Sequence, residues 1–104
     1  MSAPLEVEPW QLEVGDYAPD LILDLREPEA FSRGHLVGAQ NLPYRALQGD
    51  PPPAAGRVLL VCPAGARAAE MAVWLRRRGV DASSLAGGYA AWTGPLEAGP
   101  AGPR

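Results

Sequence analysis

The residues best suited to chemistry lie in one short segment, CPAGAR (residues 62–67), which contains the only cysteine of the chain. Pro63 biases the residue before it toward extended backbone, and Gly65 permits a bend that residues with a side chain resist. A tight loop of this kind turns successive backbone N–H groups toward one point, at the positive end of the helix that follows. The N–H groups concerned belong to Ala64, Gly65, Ala66, Arg67 and Ala68. The point on which they converge is the sulfur of Cys62.

Such surroundings favour a reactive thiolate, because helix N-termini and arginine side chains stabilise the charged form of a cysteine. The competing interpretation is a buried structural cysteine, which is common in protein cores. The reactive interpretation is favoured because Cys62 ends a strand-like apolar run, and ligands bind at the carboxyl ends of strands in open α/β sheets. Arg67 falls in the first turn of the predicted helix, where its charge opposes the helix dipole, so it indicates a bound anion rather than a solvated face.

Three other polar residues are candidates for supporting roles, namely Asp24, Arg26 and His35. Asp24 and Arg26 lie where the first buried strand ends, and we expect a structural ion pair there that steadies the cysteine loop. His35 is the only imidazole of the chain. It follows the helix-ending Gly34, so a structural hydrogen bond is favoured over proton transfer. Tyr44, in a predicted short loop, would border the mouth of the site.

The elements that must position these residues follow an α/β pattern, in which short apolar runs alternate with helical segments. Two apolar runs, residues 21–25 and 58–62, predict buried strands of a mostly parallel sheet. Residues 5–7 and 83–85 are weaker strand candidates. The cysteine loop therefore comes directly after a central strand.

Helices are predicted where proline opens a segment and glycine closes it, and where good helix formers repeat an apolar face. The predicted helices run from Pro9 to Gly15, from Pro28 to Gly34 and from Arg67 to Arg78. Three consecutive prolines make residues 48–56 a loop. We expect one domain over residues 1–96, followed by a mobile tail rich in glycine and proline over residues 97–104.

Composition excludes several classes of function. The chain has 104 residues, enough for one hydrophobic core, and a formal net charge of −3 that offers no broad attraction for nucleic acid. It shows neither a signal-peptide pattern nor an apolar run of membrane-spanning length, so a cytoplasmic protein is expected. One cysteine and one histidine leave few soft metal ligands and no internal disulfide. We expect no metal, no other cofactor and no membrane or nucleic-acid partner.

Three blocks of the sequence, DLREPEAFSRGHLVGAQNLP, VCPAGARAAEMAVWLRRRG and LAGGYAAW, resemble the signature blocks of the rhodanese-like sulfurtransferases, in order and at single-domain spacing. The resemblance spans residues 5–92. It implies the rhodanese-like three-layer fold, with a central, mostly parallel sheet flanked by helices. By the resemblance, Cys62 takes a sulfane sulfur from a donor such as thiosulfate and passes it to cyanide or a thiol, on a small molecule or on a protein.

The resemblance also implies that Arg67 helps to hold an anionic donor. The chain has Ala66 and Ala68 where members often carry a polar and a hydroxyl residue, and these differences bear on donor preference and rate. Three alternatives remain: a persulfide carrier without turnover, a cysteine-dependent phosphatase or arsenate reductase, and a catalytically silent module. The related enzymes that act on phosphate have five residues between cysteine and arginine where this chain has four. Retention of Cys62 and Arg67 argues against the silent module.

Overall fold

Apolar strands from along the chain meet in a five-stranded sheet, in a computed structural model that describes residues 3–49 and 56–100. In chain order the strands are β1 (Glu6–Val7), β2 (Leu21–Asp24), β3 (His35–Leu36), β4 (Gln40–Asn41), β5 (Arg57–Val61), β6 (Asp81–Leu85) and β7 (Leu96–Glu97). The central sheet has the order β1-β6-β5-β2-β4, and every pairing within it is parallel. The strands β3 and β7 form a separate antiparallel pair.

Helices cover both faces of this sheet. In chain order they are α1 (Pro9–Val14), α2 (Pro28–Arg33), α3 (Tyr44–Gly49), α4 (Ala66–Arg76) and α5 (Gly88–Ala91). Proline opens both α1 and α2, in the first turn, where a backbone N–H has no acceptor within the helix. Within residues 3–49 and 56–100, every helix is too short or too polar to span a lipid bilayer.

The core is divided by the sheet, because alternate side chains of a strand point to opposite faces. From Val58 onward, successive residues of β5 belong alternately to two apolar clusters, one on each face of the sheet. The first cluster contains Val58, Leu60 and Cys62 and is covered by α3 and α4. The second contains Leu59 and Val61 and is covered from the side of α1 and α5. Cys62 therefore leaves the sheet on the face that α4 covers.

The α/β fold predicted from the sequence is confirmed, with small differences at the ends of elements. The strand β2 stops at Asp24, and β5 ends at Val61, so Cys62 is the first residue after its strand. The helix α4 begins one residue earlier than predicted and ends at Arg76 rather than Arg78. The weaker strand candidates are β1 and the second half of β6.

The prediction of a loop around Tyr44 is wrong. Tyr44 opens the helix α3, in which the carbonyl of Pro43 accepts hydrogen bonds from the N–H groups of Ala46 (2.8 Å) and Leu47 (3.1 Å). Leu47 is fully buried against the first cluster, and this packing holds a short helix whose sequence carries no clear helix signal.

Two other predicted segments fall partly outside the described residues. In the predicted loop over residues 48–56, residues 48–49 end α3, and residues 50–55 lie outside the described ranges. In the predicted tail, Glu97 belongs to β7 and the N–H of Gly99 donates to the carbonyl of Ser32 at 3.0 Å. Residues 101–104 lie outside the described residues. The boundary of the domain at residue 96 stays a prediction.

Candidate active site

The thiol of Cys62 is buried at the carboxyl edge of the sheet, and its sulfur accepts hydrogen bonds from backbone N–H groups. Its Sγ accepts hydrogen bonds from the N–H of Gly65 at 3.1 Å and from the N–H of Ala68 at 3.4 Å. Only 3% of the residue is exposed. Two of the five donors predicted from the sequence are thus directed at the sulfur, one in the loop and one in the first turn of α4.

The loop takes this shape because Gly65 adopts a left-handed conformation, with φ 98° and ψ −20°. Residues other than glycine seldom adopt such angles. Gly65 serves as the N-cap of α4, and its carbonyl accepts the N–H of Ala69 at 2.9 Å. The helix itself is held in place by its buried face, formed by Ala68, Met71, Ala72 and Leu75. The direction of α4 therefore fixes where its free N–H groups point.

A second contact holds the loop from the side of α5. The N–H of Tyr89 donates to the carbonyl of Cys62 at 3.1 Å, and the N–H of Ala90 donates to the carbonyl of Pro63 at 2.9 Å. A Cβ added to Gly88 would lie 2.2 Å from the Cys62 carbonyl oxygen, so no larger residue fits without movement. The glycine pair of the third sequence block thus permits two backbone segments to touch, a role that the sequence analysis did not assign.

The predicted pair of Asp24 and Arg26 is present and connects to this contact. Asp24 is fully buried, and the Arg26 guanidinium donates to its carboxylate through Nη2 (2.8 Å) and Nε (3.0 Å). The Tyr89 hydroxyl donates to Asp24 Oδ2 at 2.6 Å and accepts the N–H of Leu36 at 3.0 Å. Burial, and then the hydrogen bond to Asp24, raise the pKa of Tyr89 well above its ordinary value, so the phenol remains a neutral donor.

The side chain of Arg67 is exposed and extends over α3. Its guanidinium carbon lies 4.5 Å from the centroid of the Tyr44 ring, within the range of a cation–π contact. The Tyr44 hydroxyl donates to Glu70 Oε1 at 2.6 Å, and this hydrogen bond is the main reason that the pKa of Tyr44 is raised. Arg67, Tyr44 and Glu70 thus form a connected group, which includes the cysteine loop through Arg67, the last residue of CPAGAR.

The side chain of His35 is buried and contacts Phe31 and Glu97. Its Nδ1 donates to the Phe31 carbonyl at 2.7 Å, and its ring stacks on the Phe31 ring with 3.7 Å between centroids. Its Nε2 lies 3.3 Å from Glu97 Oε1. These contacts connect α2 to β7, and a structural role for His35 stays a prediction. Across residues 3–49 and 56–100, no three side chains of the metal-binding types are grouped so as to hold a metal ion.

Comparison with known proteins gives one family and several similar structures. Residues 11–95 match the model of the rhodanese-like domain. A curated relative, the uncharacterised protein YqhL of Bacillus subtilis, is 32% identical over 90 residues, which are 79% of this chain and 68% of that protein.

Two solved structures share the fold along most of the chain. A rhodanese homologue from Thermus thermophilus is 30% identical, with a TM-score of 0.69 over 83% of this chain and 98% of that one. A rhodanese-related protein from Thermoplasma volcanium is 22% identical, with a TM-score of 0.77 over 88% of this chain and 96% of that one. The second likeness, at its low identity, bears on the fold alone.

Proposed function

Since the chain belongs to the family of rhodanese-like domains, we propose that it is a sulfurtransferase that carries a sulfane sulfur on Cys62. Its donor is a small anion such as thiosulfate, and its acceptor is cyanide or a thiol, on a small molecule or a protein. A thiol that must stay reduced between turnovers fits the cytoplasm, the location that we propose.

The proposed reaction has two steps that balance without an added oxidant or reductant. The Cys62 thiolate attacks the outer sulfur of thiosulfate, a new S–S bond forms, and the S–S bond of the donor breaks with its electron pair leaving on sulfite. The terminal sulfur of the resulting Cys62 persulfide is then attacked by cyanide. Thiocyanate leaves, and the Cys62 thiolate is restored with the electron pair of the second broken bond.

The observation that carries this proposal is the pair of N–H groups, from Gly65 and Ala68, directed at Cys62 Sγ. The thiolate, the thiosulfate donor, the departing sulfite and the persulfide are all anionic. Backbone donors fixed by a helix and by the contact with α5 stabilise such charge without having to reorganise during the reaction. The side chains of Pro63, Ala64 and Ala66 supply no acid or base, and the proposed chemistry requires none.

The test is an assay of turnover with thiosulfate and cyanide, in which the formation of thiocyanate is measured. The parent protein should turn over, and Cys62→Ser, which keeps nearly the same volume but lacks the carrier atom, should not. An aryl phosphate serves as the comparison substrate, because a cysteine phosphatase is the competing reading of the same loop. Hydrolysis of the aryl phosphate at a rate comparable to sulfur transfer, abolished by Cys62→Ser, would replace the proposed function with phosphatase activity.

A further inference from the structure

Tyr44 lies beside the cysteine loop because two strand ends are joined through Leu25. The N–H of Leu25 donates to the carbonyl of Val61, the residue before Cys62, at 2.9 Å. The carbonyl of Leu25 accepts the N–H of Tyr44 at 3.0 Å. The first residue of α3 is therefore fixed at the same edge of the sheet as the sulfur.

The Tyr44 side chain is held at both of its ends. Its ring packs against the first core cluster, and its hydroxyl donates to Glu70 at 2.6 Å. Arg67, three residues before Glu70 on α4, places its guanidinium 4.5 Å from the ring centroid. An exposed arginine otherwise samples many rotamers, and stacking on a fixed ring reduces that freedom.

We propose that Tyr44 is a positioning residue, which holds the Arg67 guanidinium at the mouth of the Cys62 loop and so makes the site prefer anionic reagents to neutral ones. A positive charge held near the mouth attracts an anion more effectively than one that spends its time in bulk solvent. This inference rests on the proposed function in one respect only, namely that the natural anion is a sulfur donor. The preference for anionic over neutral reagents is a property of Cys62 and Arg67 themselves.

The experiment compares alkylation of Cys62 by iodoacetate, an anion, and by iodoacetamide, its neutral analogue. The Cys62 thiolate displaces iodide from either reagent, so the ratio of the two rates cancels the thiolate fraction and reports the charge at the mouth. We expect Arg67→Gln to lower the ratio of iodoacetate to iodoacetamide rates by about two- to fivefold. Tyr44→Leu should lower the same ratio by about twofold, because the guanidinium loses the ring on which it stacks.

A double-mutant cycle separates positioning from a direct effect of the ring. If Tyr44 acts through Arg67, then Tyr44→Leu changes the ratio in the parent protein and leaves it unchanged in the Arg67→Gln background. Tyr44→Phe keeps the ring face and should keep the ratio nearer the parent value than Tyr44→Leu does. The proposal is overturned if Tyr44→Leu leaves the parent ratio unaltered, or lowers it equally without Arg67, or if Tyr44→Phe is as damaging as Tyr44→Leu.

The matched control is Arg78→Gln, which removes the same charge from a similar stack. The Arg78 guanidinium carbon lies 3.7 Å from the Trp74 ring. Arg78 is past the far end of α4, roughly 15 Å along the helix axis from Arg67. That separation exceeds the screening length of about 8–10 Å at ordinary salt, so the ratio should not change.

Alkylation needs no sulfur transfer, so the two proposals fail separately. A protein without turnover that shows the expected pattern of ratios would refute the sulfurtransferase and retain the positioning role of Tyr44. Full turnover with ratios insensitive to Tyr44 would do the reverse.

Discussion

At the scale of single residues, backbone groups contact the sulfur of Cys62, and the side chain of Arg67 supplies a positive charge. Cys62 Sγ accepts hydrogen bonds from the backbone N–H groups of Gly65 and Ala68, which no side-chain substitution removes directly. The guanidinium of Arg67 lies over the ring of Tyr44. Replacing Arg67 should therefore weaken the use of an anionic donor while the chemistry at the sulfur continues.

Arg67→Ala is expected to lower kcat/KM for thiosulfate by about tenfold, near the low end for a hydrogen bond to a charged group because the side chain is exposed to solvent. The loss should fall mainly on KM. Steady-state kinetics with thiosulfate and cyanide measure it, with Arg77→Ala, another exposed arginine, as the control that keeps parental values. An unchanged kcat/KM in Arg67→Ala would make Arg67 an ordinary surface residue.

Tyr89→Phe is expected to destabilise the fold by about 1–3 kcal/mol, since it removes a hydroxyl that satisfies two buried groups. The carboxylate of Asp24 loses a donor at 2.6 Å, and the N–H of Leu36 loses its acceptor at 3.0 Å. Urea denaturation measures the loss. Tyr44→Phe is the matched control, because its hydroxyl bond to Glu70 is exposed and should matter much less to stability. Equal losses of unfolding free energy in the two variants would contradict a stabilising role for the buried hydroxyl of Tyr89.

At the scale of elements, the cysteine loop is a junction of three segments. Cys62 directly follows β5, and α4 directs an N–H group at its sulfur. The N–H groups of Tyr89 and Ala90 in α5 donate to the loop carbonyls of Cys62 and Pro63. This last contact has no space for a side chain at Gly88. Activity should therefore depend on a glycine in an element that supplies no reacting atom.

Gly88→Ala is expected to displace the loop, because its Cβ would stand 2.2 Å from the Cys62 carbonyl oxygen at φ +59°. We expect a loss of stability of about 1–3 kcal/mol for the forced movement, in addition to about 1–2 kcal/mol for the left-handed backbone. Gly79→Ala measures the cost of the left-handed backbone alone, since Gly79 has φ +85° and nothing lies within 4 Å of an added Cβ.

Thermal unfolding and thiosulfate turnover check this pair of variants. Gly88→Ala should lose more stability than Gly79→Ala and most of its sulfur transfer, whereas Gly79→Ala should keep transfer near the parent rate. If the two alanine variants behaved alike, the contact between α5 and the loop would not be what shapes the site.

At the scale of the whole molecule, the parallel sheet brings distant parts of the chain to one edge. Asp24, Asn41 and Val61 all end strands there, and Cys62 follows immediately. The Asn41 side-chain amide donates to the carbonyls of Asp24 (3.0 Å) and Arg26 (2.8 Å), which ties two of these ends together. The edge is thus a single bonded unit rather than a set of independent loops.

The folded molecule should lose stability in alkaline solution. Burial raises the pKa of Tyr17 and of Tyr89, and the hydrogen bond to Glu70 raises that of Tyr44. A raised pKa means that the folded state holds its protons above pH 10 or so, where unfolded tyrosines release them. This contribution to stability is therefore complete below about pH 10 and declines as the pH rises further.

Urea unfolding followed between neutral pH and the alkaline limit measures this decline, and no lysine of the chain titrates in the same range. Tyr89→Phe should show a shallower fall, because one of the three tyrosines has gone. A free energy of unfolding that stays level above pH 10, or a slope unaffected by Tyr89→Phe, would contradict the coupling of these phenols to the fold.

The sequence predicted what depends on short-range signals. Pro63, Gly65 and the apolar run before Cys62 were enough to place the loop between a strand and a helix, and Asp24 and Arg26 are close enough in sequence for their pairing to be expected. The α3 helix could not be predicted, because the burial of Leu47 stabilises it more than its own sequence does.

Contacts between distant residues were likewise beyond the sequence. The hydroxyl of Tyr89 bonds to Asp24 across 65 positions, and Tyr44 bonds to Glu70 across 26. Both depend on the order of strands in the sheet, which no local pattern specifies. The signal that existed was the glycine pair at residues 87–88, since glycine marks positions that need a positive φ or a close approach of backbone.

Intact-protein mass spectrometry after treatment with thiosulfate shows whether Cys62 carries a persulfide. We expect that the protein gains the mass of a single sulfur atom, that cyanide removes it with release of thiocyanate, and that Cys62→Ser gains nothing. A parent protein whose mass is unchanged by thiosulfate and by an organic persulfide donor, or a gain that persists in Cys62→Ser, would contradict a persulfide carried on Cys62.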